Sequence, residues 1–131
     1  MFINYSNHPS EFWARAQGEA ALTYGNIVDV PFPNVPVEYT SQDIMDMAKQ
    51  ELGRIFDVLG ECGDMKHAVM CQGEFTLTFA VVSLLQQHRS DVSVVSAVSD
   101  RVVSEKYVAG KTVKEAEYVF CGFREYTKGE Y

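Results

Sequence analysis

The stretch His67-Ala68-Val69-Met70-Cys71-Gln72-Gly73-Glu74-Phe75-Thr76-Leu77-Thr78-Phe79-Ala80-Val81-Val82-Ser83-Leu84-Leu85 decides the fold. Residues 67–71 are an apolar run of strand length. Gln72-Gly73-Glu74 breaks that run, and the segment after it has a helical pattern that is apolar on most of its surface. A strand and a helix that are both largely buried belong at the centre of a layered α/β sandwich. The polar turn between them then falls at the carboxyl end of a strand, where open α/β sheets hold their ligands.

Outward from this centre, strand and helix patterns keep alternating. Residues 1–6 read as a short strand, Ser6-Asn7-His8-Pro9-Ser10 as a turn, and residues 11–24 as a helix. In that helix Phe12, Trp13, Ala16, Ala20 and Tyr24 recur at helical spacing, and Pro9 suits a first turn. Residues 27–32 read as a second strand, followed by a loop stiffened by Pro31, Pro33 and Pro36. Thr40 opens the next helix with Asp43 as a capping-box partner. Ile44, Ala48, Leu52, Ile55 and Leu59 make one apolar stripe along it, and Gly60 ends it. Residues 92–98 are small and β-branched, a fourth strand. This order predicts an α/β fold, a Rossmann-like three-layer sandwich with a mostly parallel sheet and helices on both faces.

After Asp100 the pattern changes. Residues 101–108 and 112–126 are strand-like and are joined by Ala109-Gly110-Lys111, which predicts a C-terminal antiparallel hairpin. In its second arm Val113, Val119, Cys121 and Phe123 share one parity with Glu115 and Glu117. Such an arm either extends the sheet edge or embraces a second subunit. Residues 1–126 are expected to form one Rossmann-like domain, with residues 127–131 a flexible tail.

Composition narrows the function classes. A net charge of −7 over 131 residues argues against duplex nucleic acid as a partner, since nonspecific binding needs a basic face. It does not argue against a small anionic ligand held by a few donors. No apolar run approaches the roughly 20 residues of a membrane span, and residues 1–6 lack the pattern of a signal peptide. Three cysteines, Cys62, Cys71 and Cys121, have no metal-ligand spacing. An odd count without an export signal points to reduced thiols and a cytoplasmic location.

Two polar turns are candidates for a site. In Gln72-Gly73-Glu74-Phe75-Thr76, Gly73 permits close backbone approach, and the helix behind it offers free N–H groups to a phosphate or ribose. Gln72 is a candidate ligand residue. Glu74 is a candidate base, ribose ligand or nucleophile, or simply a favourable first-turn acid. Thr76 is a second N-terminal donor or a helix-face residue. In the other turn His8 is a candidate phosphate donor or acid, with Ser6, Asn7 and Ser10 beside it; alternatively these residues only cap a helix. Trp13 is either a base-stacking platform or core, and Gln17 lies a turn beyond it. If the first and third strands are neighbours, the two turns meet at the topological switch point. Asp100 and Arg101, leaving the fourth strand, either bind a ligand or pair with each other.

Other chemistries are excluded by pattern. Leu77 stands six positions after Cys71, so the cysteine-x5-arginine phosphate loop is absent. The GxxxxGK[ST], GxGxxG and GxSxG patterns are absent too. His8, His67 and His88 have no metal-site spacing. No cofactor and no metal is therefore expected.

The turn Ser6-Asn7-His8-Pro9, followed by Trp13-Ala14, resembles the turn after the first strand in small single-domain CRISPR-associated proteins of type III systems, grouped with the CARF-like ring nucleases. The resemblance spans the first 17 residues or so, together with the Rossmann-like layout. It implies a homodimer with a shared cleft and a cyclic oligoadenylate ligand. It further implies metal-independent cleavage, in which a ribose 2′-hydroxyl attacks the adjacent phosphate in line and leaves a 2′,3′-cyclic phosphate. Asn7, His8, Ser10, the N–H groups near Gly73 and Arg101 would then supply donors. Two other readings stand beside it: N-glycosyl hydrolysis or transfer on a nucleoside or nucleotide with Glu74 as nucleophile, and a non-catalytic binding or scaffold protein.

Overall fold

The computed structural model describes residues 1–129. Five strands form one sheet: β1 (Phe2–Ser6), β2 (Ile27–Asp29), β3 (His67–Gln72), β4 (Val92–Val108) and β5 (Lys111–Glu125), in the order β2-β1-β3-β4-β5. The first four pair in parallel, and β5 runs antiparallel to β4. Helix α1 (Arg15–Leu22) follows β1, α2 (Ser41–Leu59) follows β2, and α3 (Phe75–His88) follows β3. The fold is the expected Rossmann-like α/β sandwich, mostly parallel with a C-terminal hairpin.

Alternate residues of the strands feed two cores, as a sheet covered on both faces requires. On one face Ile3, Tyr5, Val69, Cys71 and Val94 meet the α2 stripe of Ile44, Ala48, Leu52, Ile55 and Leu59, together with Leu77, Val81 and Leu85 of α3. On the other, Phe2, Ala68, Met70 and Val95 pack with Ala21 of α1, Trp13, Tyr24 and Phe123. Thr40 and Asp43 form the reciprocal capping box that opens α2. No helix among the described residues is long and apolar enough to cross a membrane.

Three elements differ from the sequence expectation. The helix expected over residues 11–24 is a 3-10 turn (Ser10–Phe12) and then α1. Trp13 and Ala14 are extended between them, with the Trp13 Nε1–H donating to the His8 carbonyl at 3.1 Å. This break resets the helical phase, so Gln17 and Ala21 face the sheet and Phe12 is exposed. The second strand stops at Asp29, although the Val30 and Phe32 N–H groups still donate to the Asn4 and Ser6 carbonyls. The expected break at Ser99-Asp100-Arg101 is absent, because β4 runs unbroken from the sheet into the hairpin.

The hairpin leaves the body as a free arm, with every residue from 99 to 119 exposed. A bulge at its base leaves Cys121 unpaired, since Val98 pairs with Gly122 and Ser99 with Phe120. The bulge turns Phe120 and Phe123 to the same face, where their rings lie 5.0 Å apart. Phe123 therefore parts from Val113 and Val119, whose shared parity with it holds only for an unbroken strand. Beyond β5, Gln86 Nε2 donates to the carbonyls of Tyr126 and Thr127, and the Tyr126 hydroxyl donates to the Cys71 carbonyl at 2.7 Å. Of the tail expected over residues 127–131, residues 130 and 131 lie outside the described residues.

At the amino edge of the parallel strands, Arg89 and Asp91 form a buried bidentate ion pair (2.7 and 2.8 Å). Arg89 also donates to the Gly60 carbonyl that closes α2. The guanidinium's hydrogen bonds hold the Asp91 carboxyl well below the usual carboxylate range. That edge is closed by this ion pair, and the candidate polar turns lie at the opposite, carboxyl edge.

Candidate functional site

β1 and β3 are neighbours, with Ser6 opposite Gln72. The chain enters β2 on one side of this pair and β4 on the other, so the gap between the carboxyl ends of β1 and β3 is the switch point of the sheet. Both polar turns leave from it. On the α1 face, beneath the first turn, lies a cavity of about 530 Å³ whose polar lining includes Ser6, His8, Trp13, Gln17, Gln72 and Ser99. Phe12, Tyr118 and Phe120 add an aromatic wall.

The first turn is held from below. Asn4, 1% exposed, donates through Nδ2 to the His8 carbonyl (2.9 Å) and to Asp29 Oδ1 (3.0 Å), and its Oδ1 accepts from the Ser6 hydroxyl (2.6 Å). Ser6 Oγ in turn accepts from the His8 N–H (3.1 Å), and Asp29 Oδ2 accepts from the Ser10 N–H (3.1 Å). With Trp13 also bonded to the His8 carbonyl, the backbone on both sides of His8 is fixed. Its imidazole, engaged in no hydrogen bond among the described residues, lines the cavity.

The second turn spends its polar groups on itself. Glu74 is the N-cap of α3. One carboxylate oxygen accepts from the Thr76 N–H (2.9 Å) and the other from the Leu77 N–H (2.9 Å), and the Thr76 hydroxyl lies 2.7 Å from both. The Thr76 N–H bond, then those from Leu77 and the Thr76 hydroxyl, hold the Glu74 carboxyl below its ordinary value. The helix N-terminus already carries a negative charge of its own. Gly73 is needed for packing: a Cβ there would stand 2.5 Å from the Phe32 ring. Gln72 reaches sideways, its Oε1 accepting from the Ala97 N–H and from Ser96 Oγ (3.2 Å) where the β3–β4 ladder has ended.

Of the residues singled out in the sequence, Ser6, His8, Trp13 and Gln72 meet around the cavity. Asn7, Ser10, Gly73, Glu74 and Thr76 lie outside its lining. Arg101 is opposite Tyr118 and so shares the cavity's side of the sheet one row further out, while Asp100 points to the other side. Cys71 is buried, which pushes its thiol up to about 12, away from nucleophilic thiolate chemistry. Among the described residues no three histidine, cysteine or carboxylate side chains cluster as metal ligands. A second groove, about 720 Å³, runs along the outer face of α3 past Phe75, Phe79 and Tyr126, and offers no histidine, cysteine or carboxylate among the described residues.

The sequence reading missed Asn4 and Asp29 as supports, and Tyr118 and Phe120 as a wall. Asn4 and Ser6 share a face of β1, a parity signal readable in the sequence. Asp29 stands opposite Asn4 only through the β1–β2 register.

The model of the family described as Uncharacterized protein MJ1673 family matches residues 1–124. The chain belongs to the MJ1673 family. That match takes in both polar turns and the whole arm. No curated protein and no solved structure matched the chain.

Proposed function

We propose that the protein binds a small nucleotide at the switch-point cavity, with cyclic oligoadenylate as ligand and ring opening as reaction. The observation that carries this reading is the placement of a free His8 imidazole beside Gln72 and Trp13 over the adjoining ends of β1 and β3. The indole and the Tyr118 ring are surfaces on which an adenine can stack, and the Nε2–H donors of Gln72, left over once its Oε1 has accepted from Ala97 and Ser96, can meet its polar edge. His8 would donate to the phosphate as the ribose 2′-hydroxyl attacks in line. Its backbone is fixed, so little ordering is left to the moment of reaction. The P–O5′ bond breaks, the 5′-oxygen takes a proton, and a 2′,3′-cyclic phosphate remains. In the homodimer of this reading two such cavities serve one ring. The setting is cytoplasmic, in keeping with free Cys62, Cys71 and Cys121.

The test is incubation with cyclic tri-, tetra- and hexa-adenylate and chromatographic separation of products, beside thermal-shift titration. Linear products ending in a cyclic phosphate are expected from the native chain, with His8→Ala losing turnover while it retains binding. Unchanged rings together with no thermal shift would overturn the reading.

A further inference from the structure

Helix α1 buries two residues against the sheet, Gln17 and Ala21, four apart on one face. Alanine is at home there. Glutamine is not: its amide carries a carbonyl acceptor and two N–H donors, and such side chains are mostly exposed. Gln17 is only 9% exposed. A buried amide is tolerated when its polar atoms find partners, so where those atoms go decides what the residue does.

One end of the amide is accounted for. Nε2 donates to the Met70 sulfur of β3 at 3.7 Å. A thioether accepts weakly, but the contact sets the amide's orientation, because turned the other way the carbonyl oxygen would face the sulfur's lone pairs. Oε1 is the other end, and it accepts from no described residue. Among the described residues, Thr78 Oγ1 is the buried side-chain oxygen or nitrogen that is both unpaired and closed to solvent. Gln17 Oε1 is thus unpaired but open. What it opens on is the switch-point cavity, which Gln17 lines beside Met70 and Trp13.

Gln72 lines the same cavity with the opposite polarity. Its Oε1 is held by the Ala97 N–H and Ser96 Oγ, which leaves its Nε2–H donors. The cavity therefore offers an amide acceptor from α1 and an amide donor from β3. Each amide is fixed by a contact at its far end. Fixed groups discriminate between ligands better than mobile ones, since an ill-matched ligand leaves them unpaired. A flat ring against the Trp13 indole that answers both amides needs a donor beside an acceptor on one edge. Adenine has that edge, in its 6-amino group and the adjoining ring nitrogen. A 6-oxo purine sets a carbonyl oxygen where adenine has N–H.

We propose that Gln17 is the base-specificity residue of the switch-point cavity: its side-chain carbonyl accepts from the 6-amino group of adenine and turns away 6-oxo purines, whose oxygen would face its own. This role rests on the nucleotide reading and adds to it the residue that chooses the base. Gln17 touches no reacting atom in it. Its contribution is to selection, whereas His8 acts at the phosphate.

Trp13, the single tryptophan of the chain, reports on the cavity it lines. Stopped-flow quenching of its fluorescence, read before turnover, gives the affinity for whichever of cyclic tri-, tetra- and hexa-adenylate binds best, and for the same ring built from inosine. The native chain is expected to favour the adenine ring about tenfold. Gln17→Leu roughly keeps the volume and suits the apolar surroundings of Met70 and Ala21, so it should fold. It should bind the two rings within about twofold of each other, having lost affinity for the adenine ring. A native chain indifferent to the base overturns the proposal without any variant. So does a Gln17→Leu variant that keeps the native preference, or one that loses both rings alike, the mark of a structural role. If the native chain binds neither ring, the nucleotide reading falls and this role with it; adenine-ring binding with no preference over inosine sinks the role of Gln17 alone.

Discussion

The two polar turns at the carboxyl edge look alike in sequence and end up as opposites. Each follows a buried strand, opens a helix and holds a small cluster of polar residues. The turn after β3 is satisfied internally: Glu74 occupies the N–H groups of Thr76 and Leu77, and Phe32 covers Gly73. The turn after β1 is satisfied from outside itself, by Asn4, Asp29 and Trp13 acting on its backbone, which leaves the His8 side chain uncommitted. A turn that consumes its own polar groups is a joint, whereas one braced by its neighbours has groups to spare for a ligand.

Substitutions can break this contrast, and the largest effect should come from the brace. Asn4→Leu removes the donor to the His8 carbonyl and to Asp29, and the acceptor of the Ser6 hydroxyl. It leaves several buried polar groups unpaired at a cost of about 3 kcal/mol, a fall in melting temperature of about 10 °C. Calorimetry reads this directly, and a loss under about 1 kcal/mol would mean the network does not hold the turn. Gly73→Ala comes next, at about 2 kcal/mol for overpacking against Phe32. Combining it with Phe32→Leu should recover part of the loss, because the two positions touch. Simple additivity in the double variant would count against the packing role.

Glu74→Ala should cost about 1 kcal/mol at neutral pH as a lost cap. The folded-state carboxyl titrates below its unfolded value, so its contribution is fully present above roughly pH 4.3 and is lost as pH falls through the folded value. The gap between native and Glu74→Ala melting curves should therefore close on acidification; a gap constant with pH would show that the carboxylate's charge is irrelevant there. Least of all in stability is His8→Ala, within about 0.5 kcal/mol, because the residue is exposed and its imidazole bonds to none of the described residues. Its effect is expected in turnover alone, and a large destabilisation would show that the imidazole is part of the brace after all.

Most of the fold was legible because it is written in periodicity. The apolar-biased β1, the apolar run of β3, the Ile44 to Leu59 stripe and the Thr40/Asp43 box each specify their element locally. The site was half legible. Ser6, His8, Trp13 and Gln72 could be named because polar residues after a buried strand sit at the sheet's edge. The division of labour between the two turns could not, since it depends on which side chain reaches which N–H. Asp29 is two elements away from the turn it braces. Phe32 meets Gly73 only because the loop after β2 folds over the end of β3. The α1 boundary failed for a different reason: a side-chain bond from Trp13 back to the His8 carbonyl, five residues earlier, holds Trp13 extended against the helical pattern of residues 11–14.

The bulge at Cys121, with Gly122 at a φ of 149° that suits glycine, fixes more than the aim of two phenylalanines. Strand faces have only two values, so one unpaired residue at the base sets which value every position beyond it takes. If Cys121 instead paired with Ser99 and the bulge were lost, β5 would turn inside out along the arm: Val113 and Val119 would move to the tyrosine side, and Tyr118 would join Val102 and Val108. Lengthening both strands by two residues would keep every face as it is. The chemistry of the arm is thus set by counting, and its length is free to vary in even steps.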